Sequence, residues 1–380
     1  MPYLLTDEQK MLRDMVRKLC QNEIAPRAAE IDRTHAFPWE NLHRLAELGL
    51  MGVPIPEEWG GAGFDFLSYI ITVEEISKAC ASTGVILAVH TSLGCFSLLN
   101  FGTEEQKKKY LVKLASGEWL GAYALTEPNA GSNPANLSTS ARLEGDHYLV
   151  NGSKLFITSG GQAHLYVTFV RTDPGSKGHK GITCLLVEKD TPGFSIGRVE
   201  EKMGIHGSAT AELIFDNARV PRENLLGEEG EGFKVAMKLL DGGRVGIGAQ
   251  GVGIAQAALE AAIAFARQRV QFDRPIAEFQ AIQFMLADMA TRVEAARLLV
   301  YRAARLRDMG LPYTKEASMA KMFGTDTAMQ VTTDAVQILG GYGYCKEYPV
   351  ERYMRDAKIT QIYEGTNQIQ RIVIAKQILR

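Results

Sequence analysis

The stretch His147-Tyr148-Leu149-Val150-Asn151-Gly152-Ser153-Lys154-Leu155-Phe156-Ile157-Thr158 decides the class of fold, because it places strands after a helical beginning. Strand-forming residues flank Asn151-Gly152, a pair that readily adopts the positive φ angles of a type I′ turn. The pattern therefore predicts a β-hairpin. Gly and Pro clusters separate further predicted strands, at Leu165 to Arg171, Gly181 to Glu188 and Ala211 to Asp216. Together they predict a β-rich middle domain that ends near Pro221.

Helical patterns lie on both sides of this block. Thr6 with Gln9, and Thr103 with Gln106, have the spacing of a capping box at a helix start. After Gly232, apolar side chains recur at helical spacing, at Ile254, Ala258, Ala261, Phe265, Ile282, Met285, Met289, Val293, Ala296, Leu299 and Ala303. The order of helices, strands and helices predicts an α+β protein with segregated layers. We expect an N-terminal helical domain (1–119), a middle β-domain (120–228) and a C-terminal helical bundle (229–380).

Composition excludes several classes of protein. The 380 residues carry 42 Lys and Arg against 44 Asp and Glu, a net charge of −2, so no nucleic-acid partner is indicated. Five scattered cysteines without CxxC spacing predict neither a disulfide framework nor a metal site, and they favour a reducing compartment. No GxGxxG run follows a predicted strand, so the fingerprint of a nicotinamide-binding fold is absent.

No targeting or membrane-spanning segment is predicted. The opening Met1-Pro2-Tyr3-Leu4-Leu5-Thr6-Asp7 has neither the basic and apolar regions of a signal peptide nor the character of a transit peptide. No uninterrupted apolar run reaches the roughly 18 residues that suggest a transmembrane helix. We therefore expect a cytoplasmic protein, or one of the mitochondrial matrix if a presequence was removed.

Two segments have the character of cofactor-binding loops. The run from Tyr123 to Ser132 is rich in small and hydroxyl residues, which suit a phosphate or a flavin ring edge, although Glu-Pro-Asn-Ala-Gly also suits a plain turn. In the run from Arg267 to Pro275, a guanidinium could bind pyrophosphate and Phe272 could pack on adenine. The alternative is a basic helix C-terminus that ends before a proline.

Two further segments lie near the C-terminus. The adjacent glycines in the run from Gln337 to Tyr344 permit close approach of a ligand, or they cap a helix. In the run from Ile362 to Gln368, Glu364 stands between Tyr and Gly just before a possible helix-capping Thr366. Glu364 is therefore a candidate loop base, or else a glutamate in the first turn of a helix.

These segments together resemble the acyl-CoA dehydrogenase family over essentially the whole chain. One family signature is similar to Leu125-Thr126-Glu127-Pro128-x-Ala130-Gly131-Ser132. The other is similar to Gln337-x-x-Gly340-Gly341-x-Gly343, followed by Tyr348-Pro349, Arg355-Asp356 and Tyr363-Glu364-Gly365-Thr366. The resemblance implies the family fold, with a C-terminal four-helix bundle, and FAD-dependent α,β-dehydrogenation of acyl-CoA to trans-2-enoyl-CoA. It also implies a homotetramer, a dimer of dimers, whose electrons pass to an electron-transfer flavoprotein.

The resemblance also implies roles for individual residues, and no metal site. Glu364 falls on the catalytic base of short- and medium-chain members. FAD contacts are implied for Tyr123, Leu125, Thr126, Gly131, Ser132, Phe156, Thr158, Gln280, Thr366 and Gln368. Contacts to the FAD of a neighbouring subunit are implied for Arg269, Gln271, Phe272, Gln337, Ile338, Gly340 and Gly341. Substrate contacts are implied for Ser132, Asp241, Arg244 and Gly365.

Some positions depart from the family pattern without removing a catalytic group. Asn133 stands where Asp is usual, Phe156 where many members have Trp, and Asp273 where Gly is common. Relatives that carry the base on a bundle helix place it at the position of Gly243, which has no side chain to accept a proton. This supports Glu364 as the base.

The resemblance favours short- to medium-chain, butyryl-type members. No Arg occurs around Val85-Ile86-Leu87-Ala88, where the acyl pocket is expected, so a dicarboxylic substrate is disfavoured. Two alternatives share this fold. An acyl-CoA oxidase would pass electrons to oxygen, and a DNA-binding flavoprotein would carry a basic surface. Such relatives are longer than this chain.

Overall fold

The computed structural model describes residues 5–176 and 178–379, and it begins with a helical domain. Both predicted capping boxes are confirmed, since Thr6 and Thr103 each exchange side-chain bonds with the residue three positions on. The first four residues of the opening segment lie outside the described residues. The N-terminal helices are α1 (Asp7–Leu19), α2 (Ala25–Thr34), α3 (Trp39–Glu47), α4 (Phe66–Ala79), α5 (Ala81–Val89), α6 (Phe96–Phe101), α7 (Glu104–Gln106) and α8 (Val112–Ser116).

The middle of the chain forms a mixed seven-stranded sheet. Its strands are β1 (Gly121–Ala124), β2 (Ser140–Glu144), β3 (His147–Thr158), β4 (Leu165–Arg171), β5 (Ile182–Glu188), β6 (Phe194–Val199) and β7 (Thr210–Pro221). The order across the sheet is β1-β4-β2-β3-β7-β6, and β5 pairs with β4. The three strands predicted after the hairpin correspond to β4, β5 and β7. Continuous burial along β4 and β5 explains why their sequences are apolar without alternation.

The predicted hairpin at Asn151-Gly152 is wrong, because the chain runs straight through this pair as part of β3. Gly152 lies at a shift in the pairing of β3 with β7, as expected for a β-bulge. Its φ is 137°, and a Cβ there would lie 2.8 Å from the Cα of Thr139. The close approach of Thr139 therefore explains why a glycine occupies position 152. The reversal occurs earlier, between β2 and β3, where Gly145 has a φ of 63°.

The C-terminal part consists of long helices. Its elements are α9 (Gly232–Gln268), the short hairpin β8 (Val270–Gln271) and β9 (Arg274–Pro275), α10 (Gln280–Asp308), α11 (Thr314–Leu339), α12 (Val350–Thr360) and α13 (Asn367–Ile378). The two residues between β8 and β9, Phe272 and Asp273, have φ angles of 52° and 63°. The positive φ angles of a type I′ turn, expected at Asn151-Gly152, are therefore found here.

Close contact between α9 and α11 forms the centre of the bundle. A Cβ on Gly324 of α11 would lie 2.9 Å from the carbonyl oxygen of Gly248 on α9. A Cβ on Gly251 would lie equally close to the Gly324 carbonyl. Side chains at these positions would force the two helices apart.

The N-terminal helices pack into this core. Every residue of α5 is buried, and α5 contacts α9 and β1. Among the described residues, Ala81–Phe101 and Gly232–Gln268 are long and apolar enough to cross a membrane. However, 83% and 67% of their most apolar windows are buried inside the protein. Their composition is thus accounted for by packing in the core.

Candidate active site

A cavity of about 280 Å³ lies where the three parts of the fold meet. Helix α5 contributes Val85 and Val89, the sheet contributes Tyr123, and α9 contributes Arg244. The predicted site residues that line it are Tyr123, Leu125, Thr126, Gly131, Ser132, Phe156, Thr158, Arg244, Glu364 and Gly365. Residues from distant segments are therefore brought together around one space.

Glu364 reaches this cavity from the loop between α12 and α13. Glu364 and Gly365 both have left-handed backbone, with φ angles of 53° and 86°. Both carboxylate oxygens of Glu364 are buried, and neither has a hydrogen-bond partner among the described residues. Burial raises the pKa of Glu364 to about 7, against the attraction of the Arg244 and Lys321 cations. An unpaired carboxylate with this pKa is suited to accept a proton near neutral pH.

The loop is held by the helix that follows it. The Gln370 side chain donates to the carbonyls of Glu364 (3.2 Å) and Gly365 (2.8 Å). The Thr366 hydroxyl caps α13 by accepting from the Ile369 N–H at 3.3 Å. On the N-terminal side, the Tyr363 hydroxyl donates to the Gln250 side chain on α9. The local backbone thus fixes the direction in which the Glu364 carboxylate points.

Arg244 and Asp241 form a largely buried ion pair on α9. Arg244 Nη1 lies 2.7 Å from Asp241 Oδ1, and the Thr314 hydroxyl donates to Asp241 Oδ2 at 2.6 Å. Arg244 Nε is buried without a partner among the described residues. Because a buried unpaired donor is costly, this group is well placed to bind a polar part of a ligand. Asp241 does not line the cavity itself.

The opposite wall is apolar. Val85, Val89 and Leu93 lie four residues apart along one helical face and point into the cavity. Of these, sequence analysis singled out only Val85. The other apolar lining residues it missed are Phe233, Met237, Leu240, Ile247, Ile369 and Val373. Their helical spacing was visible, but spacing alone does not separate a cavity wall from a packed core.

The edge of the cavity at Phe156 and Thr158 fits a large planar cofactor. Phe156 has a φ of 58°, and its side chain is 59% exposed. A second cavity of about 470 Å³ shares Phe156, Thr158 and Tyr363 with the first. An open aromatic face and a threonine hydroxyl between two adjoining cavities are appropriate for a flavin ring system.

A buried ion pair supports the loop beside this edge. Lys154 Nζ lies 2.7 Å from Glu127 Oε1 and 3.3 Å from the Leu125 carbonyl. Glu127 also accepts the N–H groups of Ser138 and Thr139. Burial opposes ionisation of Glu127, but these partners lower its pKa to about 2. The Leu125–Ser132 loop is thus tied to β3, which also carries Phe156 and Thr158.

The remaining predicted cofactor residues lie outside the cavity. Arg269 lies over the Tyr342 ring, with 5.3 Å from its guanidinium carbon to the ring centroid, so the β8–β9 hairpin contacts the glycine-rich segment. Phe272 is 87% exposed. The predicted residues that do not line the cavity are Arg269, Gln271, Phe272, Gln280, Gln337, Ile338, Gly340, Gly341, Thr366 and Gln368. An exposed position suits contacts made to another subunit.

Gly243 lies directly against the Glu364 carboxylate. A Cβ on Gly243 would be 2.0 Å from Glu364 Oε2 and 2.8 Å from its Cδ. The position at which some relatives carry their base therefore adjoins the base predicted here. In this chain the Glu364 carboxylate occupies the space beside Gly243, so a side chain on Gly243 would have to displace that carboxylate.

Comparison with known proteins agrees with this arrangement. The sequence matches the family models of the acyl-CoA dehydrogenase N-terminal domain (residues 6–118), middle domain (122–218) and C-terminal domain (230–379). It is 56% identical over 381 residues to the short-chain specific acyl-CoA dehydrogenase of Clostridium acetobutylicum, covering 100% of both chains. The chain therefore belongs to the acyl-CoA dehydrogenase family, whose members are FAD-dependent oxidoreductases.

Solved structures give the same result for the fold. The butyryl-CoA dehydrogenase of Megasphaera elsdenii superposes with a TM-score of 0.98 at 49% identity, covering 100% of both chains. A structure described as the electron transferring flavoprotein of Acidaminococcus fermentans gives a TM-score of 0.99 at 53% identity, again over 100% of both chains. The predicted family, fold class, enzyme class and FAD cofactor are confirmed.

Gly243→Ala is expected to impair Glu364 selectively. Its new methyl group would overlap the carboxylate, and displacement of a reacting group by about 1 Å can cost on the order of 100-fold in rate. The measurement is the rate at which butyryl-CoA reduces the enzyme-bound flavin in a single turnover. Gly246→Ala is the matched control on α9, because its nearest neighbours would lie at 3.3 and 3.7 Å. Equal rates in the two variants would contradict the assigned contact.

Proposed function

We propose that this chain catalyses the α,β-dehydrogenation of short- to medium-chain acyl-CoA thioesters to trans-2-enoyl-CoA, with Glu364 as the base. One observation carries the proposal: the Glu364 carboxylate is buried and unpaired in a cavity between an apolar wall and the Phe156–Thr158 edge. The apolar wall suits an acyl chain, and the open edge suits FAD.

Removal of the α-proton is the step that the chain's own residues perform. Because burial raises the pKa of Glu364, accepting a proton relieves a buried charge. The backbone N–H of Glu364 has no acceptor within the described structure. It is therefore available for the thioester oxygen, where an oriented donor contributes roughly 3 to 4 kcal/mol to stabilising the developing enolate. Bound FAD supplies the acceptor for the β-hydrogen, which leaves as hydride.

The remaining site residues have proposed roles in binding. Tyr123, Leu125, Thr126, Gly131, Ser132, Phe156, Thr158, Gln280, Thr366 and Gln368 contact FAD. Ser132, Asp241, Arg244 and Gly365 contact the acyl-CoA. Arg244 supports this assignment, because its buried Nε has no partner among the described residues.

The proposed acceptor of the electrons is an electron-transfer flavoprotein, and the proposed location is the cytoplasm. The likeness to the Acidaminococcus structure supports the acceptor. Five free cysteines, four of them buried, support a reducing compartment. We retain the domain division at 119/120 and 228/229 as part of the proposal. Cell fractionation, and reoxidation of the reduced enzyme by a purified electron-transfer flavoprotein, test these assignments.

Glu364→Gln is expected to abolish most flavin reduction by substrate, because an amide of the same shape cannot accept the proton. We expect a loss of about a thousandfold, within the range for a general base. In the wild type, kcat/KM should rise with pH through about 7, since only the carboxylate accepts a proton. This limb should vanish in the variant. A rate within tenfold of wild type, with FAD and acyl-CoA still bound, would disprove the role of Glu364.

The substrate profile is expected to peak between butyryl- and octanoyl-CoA and to fall for palmitoyl-CoA. A closed pocket must exclude further methylenes, whereas an open one would gain about 0.8 kcal/mol for each buried CH₂. The measurement is kcat/KM across CoA thioesters from C4 to C16, with isovaleryl- and glutaryl-CoA included. A maximum at C14 or longer, or a preference for a branched or dicarboxylic substrate, would refute the proposed chain length but not the proton transfer.

The proposed assembly is a homotetramer, a dimer of dimers. Its support is the exposed Phe272 together with the separation of Arg269, Gln271, Gln337, Ile338, Gly340 and Gly341 from the cavity. We expect these residues to contact the FAD of a neighbouring subunit, so a monomer should retain flavin poorly. Light scattering combined with the visible flavin spectrum measures both properties. A stable monomer with full flavin content is incompatible with this assembly.

A further inference from the structure

Lys321 of α11 is a buried cation beside the loop that carries Glu364. Its side chain is fully buried, and its ammonium donates to the Gly365 carbonyl and to Asn367 Oδ1, both at 2.9 Å. Both acceptors are neutral oxygens, so the hydrogen bonds of the ammonium include no carboxylate among the described residues. Burial lowers the pKa of Lys321, and the attraction of the Glu364 and Asp326 carboxylates opposes this shift and favours the ammonium form. An interior cation without an ion pair is costly, so its presence calls for an explanation.

The two acceptors of Lys321 lie on either side of Thr366. Asn367 begins α13 and donates back to α11, to Thr325 Oγ1 at 2.9 Å and to Asp326 Oδ1 at 2.7 Å. Gly365 directly follows Glu364, and its carbonyl also accepts from Gln370. Lys321 therefore connects α11 to the backbone next to the base and to the start of the following helix.

The base depends on its backbone for its position. Left-handed backbone at a residue other than glycine is strained and persists only when its surroundings enforce it. Glu364 has this conformation, and its carboxylate has no hydrogen bond of its own. The direction of the side chain is therefore set through the loop. Helix α11 holds that loop at two points, where Lys321 donates to the Gly365 carbonyl and where the Gln361 side chain donates to Asp326 Oδ1 at 2.7 Å.

Lys321 also affects the charge of the base. The charged groups near Glu364 are Arg244 from α9 and Lys321 from α11, and the nearby tyrosine hydroxyls are those of Tyr69, Tyr123 and Tyr363. The charged groups near Lys321 are Glu364, Asp326 and Arg244. Arg244 is already paired with Asp241 at 2.7 Å. Lys321 is thus the cation near the base whose charge is not neutralised by a bonded carboxylate.

We propose that Lys321 is a positioning residue for proton abstraction: it holds the Gly365 carbonyl, and its ammonium favours the carboxylate form of Glu364. This inference rests on the proposed function of Glu364. It assigns Lys321 no contact with the substrate or with FAD. Its effect should therefore fall on the rate of flavin reduction and on the pH profile of that rate, and not on ligand affinity.

Two variants separate the hydrogen bond from the charge. Lys321→Met removes both and keeps a similar length, whereas Lys321→Gln can still donate to the Gly365 carbonyl but carries no charge. Lys315→Met is the control on the same helix, where the lysine is partly exposed and paired with Glu316 at 3.2 Å. The measurements are single-turnover flavin reduction by butyryl-CoA from pH 6 to 9, equilibrium binding of crotonyl-CoA, flavin content and melting temperature.

We expect Lys321→Met to reduce flavin about 10- to 100-fold more slowly than wild type, as for a small misplacement of a reacting group. The rising limb of its pH–rate profile should move to higher pH, because the carboxylate form of Glu364 has lost a stabilising cation. Lys321→Gln should recover most of the rate at high pH while keeping the shifted limb. Crotonyl-CoA affinity and flavin content should stay within about threefold of wild type in both variants, because Lys321 does not line the cavity and loses no contact to either ligand.

Several results would overturn the inference. One is a Lys321→Met rate within threefold of wild type at every pH. Another is an equal loss in both variants at all pH values together with loss of flavin, since this would indicate a purely structural role. If Lys321→Met does not fold, an unshifted pH profile in Lys321→Gln overturns the inference by itself. A wild-type enzyme whose flavin no acyl-CoA reduces would overturn the proposed function, and this inference with it.

Discussion

The close approach of α9 and α11 is the constraint on which the site depends. Glycines at positions 248, 251 and 324 let the two backbones come within contact distance of each other. On one side of this contact, α9 places Arg244 in the cavity lining and Gly243 against the Glu364 carboxylate. On the other side, Lys321 of α11 donates to the loop that carries Glu364. If the helices were farther apart, the loop between α12 and α13 would lose its support from α11 while Gly243 moved away from Glu364. One packing contact therefore sets both the space around the base and its orientation.

Three buried cations, Lys154, Arg244 and Lys321, lie in or beside the elements that form the cavity, and each has a different set of partners. Lys154 is paired with Glu127 and ties the Leu125–Ser132 loop to β3. Arg244 is paired with Asp241 yet keeps one donor free. Lys321 donates to neutral oxygens only. Since unpaired charge is costly away from water, the cations with free or neutral partners are the ones whose burial calls for a functional explanation.

Much of the fold followed from local patterns, but pairing between strands did not. Capping boxes depend on residues three positions apart, so Thr6 and Thr103 could be assigned from the sequence. Asn151-Gly152 satisfies the same local rules for a turn, but β7 pairs along β3 on both sides of it and keeps the chain extended. The chain instead reverses just before β3, at Gly145-Asp146, where the glycine has positive φ. A second two-residue turn contains Phe272 and Asp273, which lack the usual Asn-Gly signal; Asp tolerates left-handed backbone, whereas the exposed Phe272 has no structural explanation there.

For the site, too, a local sequence motif could be recognised, whereas contacts between segments distant in sequence could not. The motif singled out Glu364, which lines the cavity, whereas no pattern singled out the apolar wall at Val89 and Leu93, because buried helical faces look alike whether or not a ligand lies beside them. Lys321 lies 43 positions before Glu364 in a helix of ordinary composition. Only the folded chain shows that its ammonium meets the Gly365 carbonyl.

The open edge at Phe156 has a consequence for the protein in the cell. A largely exposed aromatic side chain between two cavities leaves apolar surface in contact with water until a cofactor covers it. A molecule that binds only the folded chain stabilises it by mass action, by about 2.7 kcal/mol at a hundred times its dissociation constant. The steady-state abundance of this protein should therefore follow the supply of FAD, since newly made chains that fold without the cofactor are the ones most exposed to proteolysis.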